Sequence, residues 1–168
     1  DNPQSVGGNT ILVIYRDRSG SLWLSTNNSL DRYDAQANQF IHHKHQNSVT
    51  NSLSNNTVQT IYEDRSNVLW IGTFGSGLNK YNREQDKFVY YRNNPEDENS
   101  LSGDMILPIA VDTNGLVWIG TQGAGLNRFN PNTNEFTHYR YDSSDLLSLS
   151  SDDVIALEVD HKGNIWVG

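Results

Sequence analysis

The 168-residue chain is predicted to be all-β and built from repeated four-stranded antiparallel units. Three observations predict this. A tryptophan motif recurs at Trp23, Trp70, Trp118 and Trp166, spaced by 47, 48 and 48 residues. Each period holds short β-rich segments separated by turns of Asp, Asn, Ser and Gly. No ten-residue stretch carries a helical period with caps. Four short strands per repeat with an aromatic signature is the pattern of a β-propeller blade. A β-solenoid is the alternative, but its rungs are nearer ~20–30 residues.

Each tryptophan lies in a similar block: Leu22-Trp23-Leu24-Ser25-Thr26, Leu69-Trp70-Ile71-Gly72-Thr73, Val117-Trp118-Ile119-Gly120-Thr121 and Ile165-Trp166-Val167-Gly168. An aspartate precedes each by six residues, at Asp17, Asp64, Asp112 and Asp160. In the second copy, Val58 to Asp64 reads as strand A, Val68 to Thr73 as strand B, Leu78 to Tyr81 as strand C and Lys87 to Tyr91 as strand D. The third copy places C at Leu126 to Phe129 and D at Glu135 to Tyr139. The A–B turns are Asp-x-x-Gly or Asp-x-x-Asn, which suits a left-handed fourth residue, and the aspartate can hydrogen-bond the turn backbone. Strand A would line a central channel and strand D the rim. Pro108 falls in a strand A, which tolerates it because one edge faces the channel.

The unit resembles the two-component regulator propeller repeat, approximately V-x-x-I-x-x-D-x-x-G-x-L-W-I-G-T-x-x-G-L, then R-Y, then F-x-x-Y. The second copy matches through Val58, Ile61, Asp64, Leu69 to Thr73, Gly77-Leu78, Lys80-Tyr81 and Phe88 to Tyr91. The third matches through Ile106, Ile109, Asp112, Gly115, Trp118 to Thr121, Gly125-Leu126, Arg128-Phe129 and Phe136 to Tyr139. The first departs, with Ser25 for Gly and Asn27-Asn28-Ser29 for the glycine-rich loop, which leaves its B–C geometry open. The resemblance implies a periplasmic or extracytoplasmic segment of a membrane-anchored bacterial sensor, often a hybrid histidine kinase. It implies tandem propellers and a β-sandwich as neighbouring domains, a dimer in the parent sensor, and recognition of oligosaccharide breakdown products.

Composition narrows the function classes. Net charge is -8, from 12 Lys+Arg against 20 Asp+Glu, so a phosphate-binding face and a nucleic-acid partner are not expected. Cysteine is absent, which removes disulfides, thiolate metal sites and a cysteine nucleophile. No run approaches the ~20 apolar residues of a membrane span, so no membrane contact is expected of this segment. A basic and apolar N-terminal signal is not expected in this segment.

The repeated tryptophans, and Tyr33, Tyr81 and Phe129, are expected to pack between neighbouring blades, because each recurs at one place in every unit. The Asp-x-x-Gly turns lack the alternating ligands and terminal Glu of a calcium loop. They are similar to the structural Asp-box of sialidases, which has a different spacing. His42, His43 and His45 form a histidine cluster, and His43 and His45 would share one strand face. Other copies put Tyr91, Asn93, Tyr139 and Tyr141 in those columns, so a rim strand facing solvent or the next domain is expected rather than a metal site. Glu96, Asp97 and Glu98 read as a solvated loop. No carboxylate pair, nucleophile elbow or dinucleotide fingerprint is recognisable, and no cofactor is expected.

Antiparallel geometry puts the D–A and B–C connections on one face and the A–B and C–D turns on the other. The first pair varies most between copies, and function tends to sit on variable loops of a rigid scaffold. Asn27, Asn28, Phe74 and Gln122 at the B–C tips offer amides and an aromatic suited to a polyol, near the channel mouth. The reading is a non-catalytic sensor segment that recognises oligosaccharide, with a protein-interaction scaffold as the alternative and a propeller-framed lyase or glycosidase behind both.

At a period of 48, 168 residues make three and a half units, approximately 6–52, 53–100, 101–148 and 149–168. Residues 1–168 are therefore expected to be a partial propeller, cut from a larger ring of seven blades. The chain opens at Asp1 to Ser5 in a D–A connection and ends at Gly168 after the fourth strand B. Two copies would supply the strand number of seven blades, but each lacks the same C and D strands, so dimer closure fails on strand type.

Overall fold

The computed structural model describes residues 4–168, so the reading of Asp1 to Pro3 lies outside the described residues. Blade 1 comprises β1 (Ile11–Arg16), β2 (Leu22–Thr26), β3 (Leu30–Asp34) and β4 (Gln39–His43). Blade 2 comprises β5 (Val58–Glu63), β6 (Leu69–Thr73), β7 (Leu78–Asn82) and β8 (Lys87–Tyr91). Blade 3 comprises β9 (Ile106–Val111), β10 (Val117–Thr121), β11 (Leu126–Asn130) and β12 (Glu135–Tyr139). A half blade follows, β13 (Leu157–Val159) and β14 (Ile165–Val167). Each sheet runs in sequence order with antiparallel neighbours, and among the described residues no sheet closes a ring.

The strands fall where the pattern puts them, within a residue or two at their ends. Strand A adds a feature that alternation does not announce. Its ladder with strand B slips one residue between Ile11 and Val13, and again between Val58 and Thr60. In blade 3, Ile106 faces Thr121 and Ile109 faces Ile119, so Leu107 and Pro108 together oppose Gly120. Pro108 thus occupies a β-bulge, where its missing N–H removes no ladder bond.

The core lies between blades rather than inside any one sheet. Trp23, Leu30 and blade 2 residues Ile61, Leu69 and Tyr81 form one buried cluster. Trp70, Leu78 and blade 3 residues Ile109, Val117 and Phe129 form the next. Leu53 and Leu101, in the D–A connections, are fully buried in these clusters. The serine after each is tied to strand C. Asn79 accepts the Ser54 N–H at 3.0 Å and donates to its hydroxyl at 2.7 Å, and Asn127 and Ser102 repeat this at 2.9 and 2.7 Å.

The motif glycine is explained by the neighbouring blade. A Cβ on Gly72 would stand 2.5 Å from Ile106 Cγ2, and one on Gly120 would stand 2.7 Å from Val154 Cγ1. Blade 1 has Ser25 in this column. Its side chain is buried and its hydroxyl donates to the Val58 carbonyl of blade 2 at 2.7 Å. The B–C geometry left open in blade 1 is a shorter tip of the same kind. Thr26 N–H donates to Ser29 O at 2.8 Å, as Thr73 does to Gly77 O at 3.2 Å. A Gly72→Ala substitution is expected to overpack the junction and cost about 1–3 kcal/mol, measured by urea unfolding. Ser25→Gly is expected to cost about 1 kcal/mol through the lost hydrogen bond.

Candidate functional site

The repeated aspartate and tryptophan are one device. Asp64 Oδ1 accepts the N–H groups of Ser66 and Val68 at 2.8 and 3.0 Å, which fixes the A–B turn, while Oδ2 accepts the Trp70 indole N–H at 2.9 Å. Asp17, Asp112 and Asp160 bind Trp23, Trp118 and Trp166 in the same way, at 2.8, 3.0 and 3.1 Å. Sequence reasoning assigned the aspartate to the turn and missed the indole. The fixed separation of six residues was the available signal.

Each anchored ring is closed by the following blade. Tyr81 meets Trp23 edge-on at 5.1 Å and Phe129 meets Trp70 at 5.9 Å. Trp23 and Trp70 are buried, Trp118 is half-buried, and Trp166 is 63% exposed. Exposure therefore rises where the next strand C is lacking, which is the behaviour of a ring that packs between blades. An Arg or Lys from strand C of the same blade lies over three of the rings, Arg32, Lys80 and Arg128 at 5.9, 5.6 and 6.0 Å.

The histidines do not share one environment. His43 does not face solvent, correcting the rim expectation. It is buried, stacked on Trp23 at 5.5 Å and edge-on to Tyr81 and Phe88. Its column holds Tyr91 and Tyr139, and Tyr139 stacks on Trp118 at 5.7 Å, so the position demands a flat ring. Burial pushes the His43 pKa down, and Asp86 pulls against it. His42 Nδ1 lies 2.8 Å from Asp31 Oδ1, whereas His45 is held by Leu53 O and Asn47 Oδ1. Among the described residues no three metal-ligating side chains converge. Glu96, Asp97 and Glu98 are exposed in a D–A turn.

Asn27, Phe74 and Gln122 occupy equivalent places on the B–C tips. Their N–H groups donate to the carbonyls of Thr10, Thr57 and Met105 at 3.1, 3.0 and 3.0 Å, adding a rung at the start of each strand A. Asn28 Nδ2 donates to Gly7 O at 3.1 Å. The Phe74 ring is 48% exposed, and Asn55 Nδ2 donates to its carbonyl at 3.2 Å. These residues share one face in successive blades. A groove of about 640 Å³ lies on the opposite face, centred on the A–B and C–D turns of blades 2 and 3 with Asp64, Arg65, Lys80, Asn114 and Asn132 on its walls, and reaching Arg18 of blade 1 and Asp160 and His161 of the half blade.

A network without a repeat signature holds blades 1 and 2 together on that face. The Arg83 guanidinium donates to Asp17 Oδ2 at 2.8 Å and to Glu63 Oε1 at 2.7 Å, and Glu63 Oε2 accepts the Arg18 N–H at 2.7 Å. Burial raises the cost of charge on Asp17. Hydrogen bonds from Ser19, Trp23, Arg83 and the Ser21 backbone outweigh that cost and hold its pKa at about 2.

The family model described as two component regulator propeller matches residues 5–28, 52–75 and 148–168. These three segments are two-component regulator propeller repeats. It is similar to the extracellular domain of the hybrid two-component system BT3049 of B. thetaiotaomicron, at 30% identity and a TM-score of 0.84, over 98% of this chain and 23% of that one. It is also similar to the extracellular domain of the hybrid two-component system BT4673 of the same organism, at 30% identity and a TM-score of 0.75, over 100% of this chain and 23% of that one. PorZ of the Porphyromonas gingivalis type-IX secretion system shares the fold at 19% identity and a TM-score of 0.63, over 97% of this chain and 25% of that one. The chain thus spans about a quarter of the length of these propeller proteins. No curated protein matches it. An extracytoplasmic location agrees with both B. thetaiotaomicron relatives.

The Asp17 pKa sets a pH dependence. Its folded value lies below its ordinary value of 3.8, so the stabilisation is complete above the ordinary range and is lost as pH falls towards about 2. Asp17→Asn is expected to lower stability at neutral pH and to flatten the acid limb of the stability profile, read by urea unfolding between about pH 5 and pH 2.

Proposed function

We propose that this propeller segment belongs to an extracytoplasmic sensor of a two-component system and recognises oligosaccharide without catalysing a reaction. Phe74 carries this reading. It is a large apolar ring, 48% exposed at the B–C tip of blade 2, whereas Trp23, Trp70, Tyr81 and Phe129 are buried between blades. Asn55 lies against its backbone, and Gln122 holds the equivalent tip position in the next blade. An exposed ring offers stacking area to a sugar face, and amides pair its hydroxyls in both directions. The non-catalytic part is supported by the repeated aspartates. Both oxygens of each are engaged by turn N–H groups and an indole, an arrangement that serves structure rather than proton transfer.

Recognition would act by differential affinity for two signalling states. The whole extracytoplasmic domain, titrated calorimetrically with short oligosaccharides, is expected to show saturable binding. Phe74→Ala with Gln122→Ala is expected to weaken it about tenfold or more with unchanged thermal unfolding. Absence of glycan binding together with capture of a defined protein partner would favour the scaffold instead. Release of product from a polysaccharide by the purified domain would refute the non-catalytic reading.

A further inference from the structure

The two complete blade junctions differ on the A–B-turn face. Between blades 1 and 2 the slot is filled. Glu63 bonds the Arg18 N–H and the Arg83 guanidinium, its own N–H donates to the Tyr15 hydroxyl at 3.1 Å, and Arg83 covers Asp17. One repeat later the corresponding residues are Val111 for Glu63 and Pro131 for Arg83, beside Tyr62, Asp64 and Arg65. Neither Val111 nor Pro131 has a side chain that can make those bonds. Among the described residues the Tyr62 hydroxyl, the Arg65 N–H and the Arg65 guanidinium have no hydrogen-bond partner, and Asp64 Oδ2 accepts only from Trp70. Asp17 is buried under Arg83, whereas Asp64 is only half-buried. The groove of about 640 Å³ takes in this open space and runs on to Arg18 of blade 1 and to Val159, Asp160 and His161 of the half blade, and its size falls in the range of small-molecule sites.

We propose that this groove between blades 2 and 3 is a second ligand site and takes a saccharide unit of the bound oligosaccharide class. The argument rests on the saccharide reading above and places a separate contact on the opposite face. Its polar groups ask for an acceptor at the Arg65 N–H and a donor at Asp64 Oδ2, the two roles that Glu63 and Arg83 play one blade earlier. Neighbouring sugar hydroxyls supply both roles without net charge, since each hydroxyl donates once and accepts twice. Lys80 and Asn132 extend the hydrogen-bonding wall, and Tyr62 and Pro131 give apolar surface for the sugar C–H groups.

The sequence itself supplies the control. Val111→Glu with Pro131→Arg rebuilds the blade 1–2 network in the open junction and fills the groove from within. The whole extracytoplasmic domain is titrated calorimetrically with short xylo-, manno-, malto- and arabino-oligosaccharides. The wild type is expected to bind at two sites, and the double variant to keep only one of them while thermal stability is kept or raised. Tyr62→Phe, which removes only a hydroxyl, is expected to weaken the second site several-fold. Two sites of wild-type affinity in the filled variant, or in Tyr62→Phe, overturn the groove. If Phe74→Ala with Gln122→Ala abolishes binding in that same titration, the B–C tips stand and the groove falls. Loss only on filling gives the reverse, and no binding to any of the four glycans overturns both.

Discussion

The structure depends on an aspartate that makes two different bonds at once. One carboxylate oxygen holds the N–H groups of a four-residue turn, and the other holds an indole N–H from the strand that follows. A hairpin alone is marginal in water. Here its turn and its largest ring are fixed by the same charged group, and hydrogen bonds to a charged group are among the stronger ones, about 1.5–3 kcal/mol. The ring is thereby held at a set depth, and the next blade can close over it. Tyr81 on Trp23 and Phe129 on Trp70 are that closure.

From this constraint follows a nearest-neighbour architecture, in which each unit buries its apolar face only against the next. Gly72 and Gly120 are small because a Cβ there would collide both with strand A of their own blade, at Thr60 and Pro108, and with Ile106 and Val154 of the segment that follows. Trp166 stands exposed because its covering strand is lacking. Burial pushes the His43 pKa down for the same reason that Tyr91 and Tyr139 fill its column, as the slot beside the anchored indole takes a flat ring. What departs from the repeat carries individuality. Arg83 and Glu63 lock the first junction, and Val111 and Pro131 leave the second one open.

Much of this was legible in the sequence, because repetition turns a weak strand signal into an aligned one. Strand D of blades 2 and 3, Lys87–Tyr91 and Glu135–Tyr139, lies where the pattern puts it. The Asp–Trp bond was visible only as a constant separation, which states that two residues move together but not that they touch. Pro108 was read as an edge residue, and its bulge emerged from the register, which no single strand encodes. The Arg83 network was not legible, since its members lie 20 and 66 residues from one another in the chain and appear in one junction alone. The His43 environment was misread because strand position was taken as exposure, while the neighbouring blade covers it.

The most direct test is a double-mutant cycle on Asp64→Ala and Trp70→Phe in the intact domain, read by denaturant unfolding. Asp64 is chosen because no arginine shares its carboxylate. The account predicts a coupling energy of about 1–3 kcal/mol between the two positions. Additive effects within about 0.3–0.5 kcal/mol would contradict it, leaving the aspartate as a turn residue and the tryptophan as packing, with no bond of consequence between them.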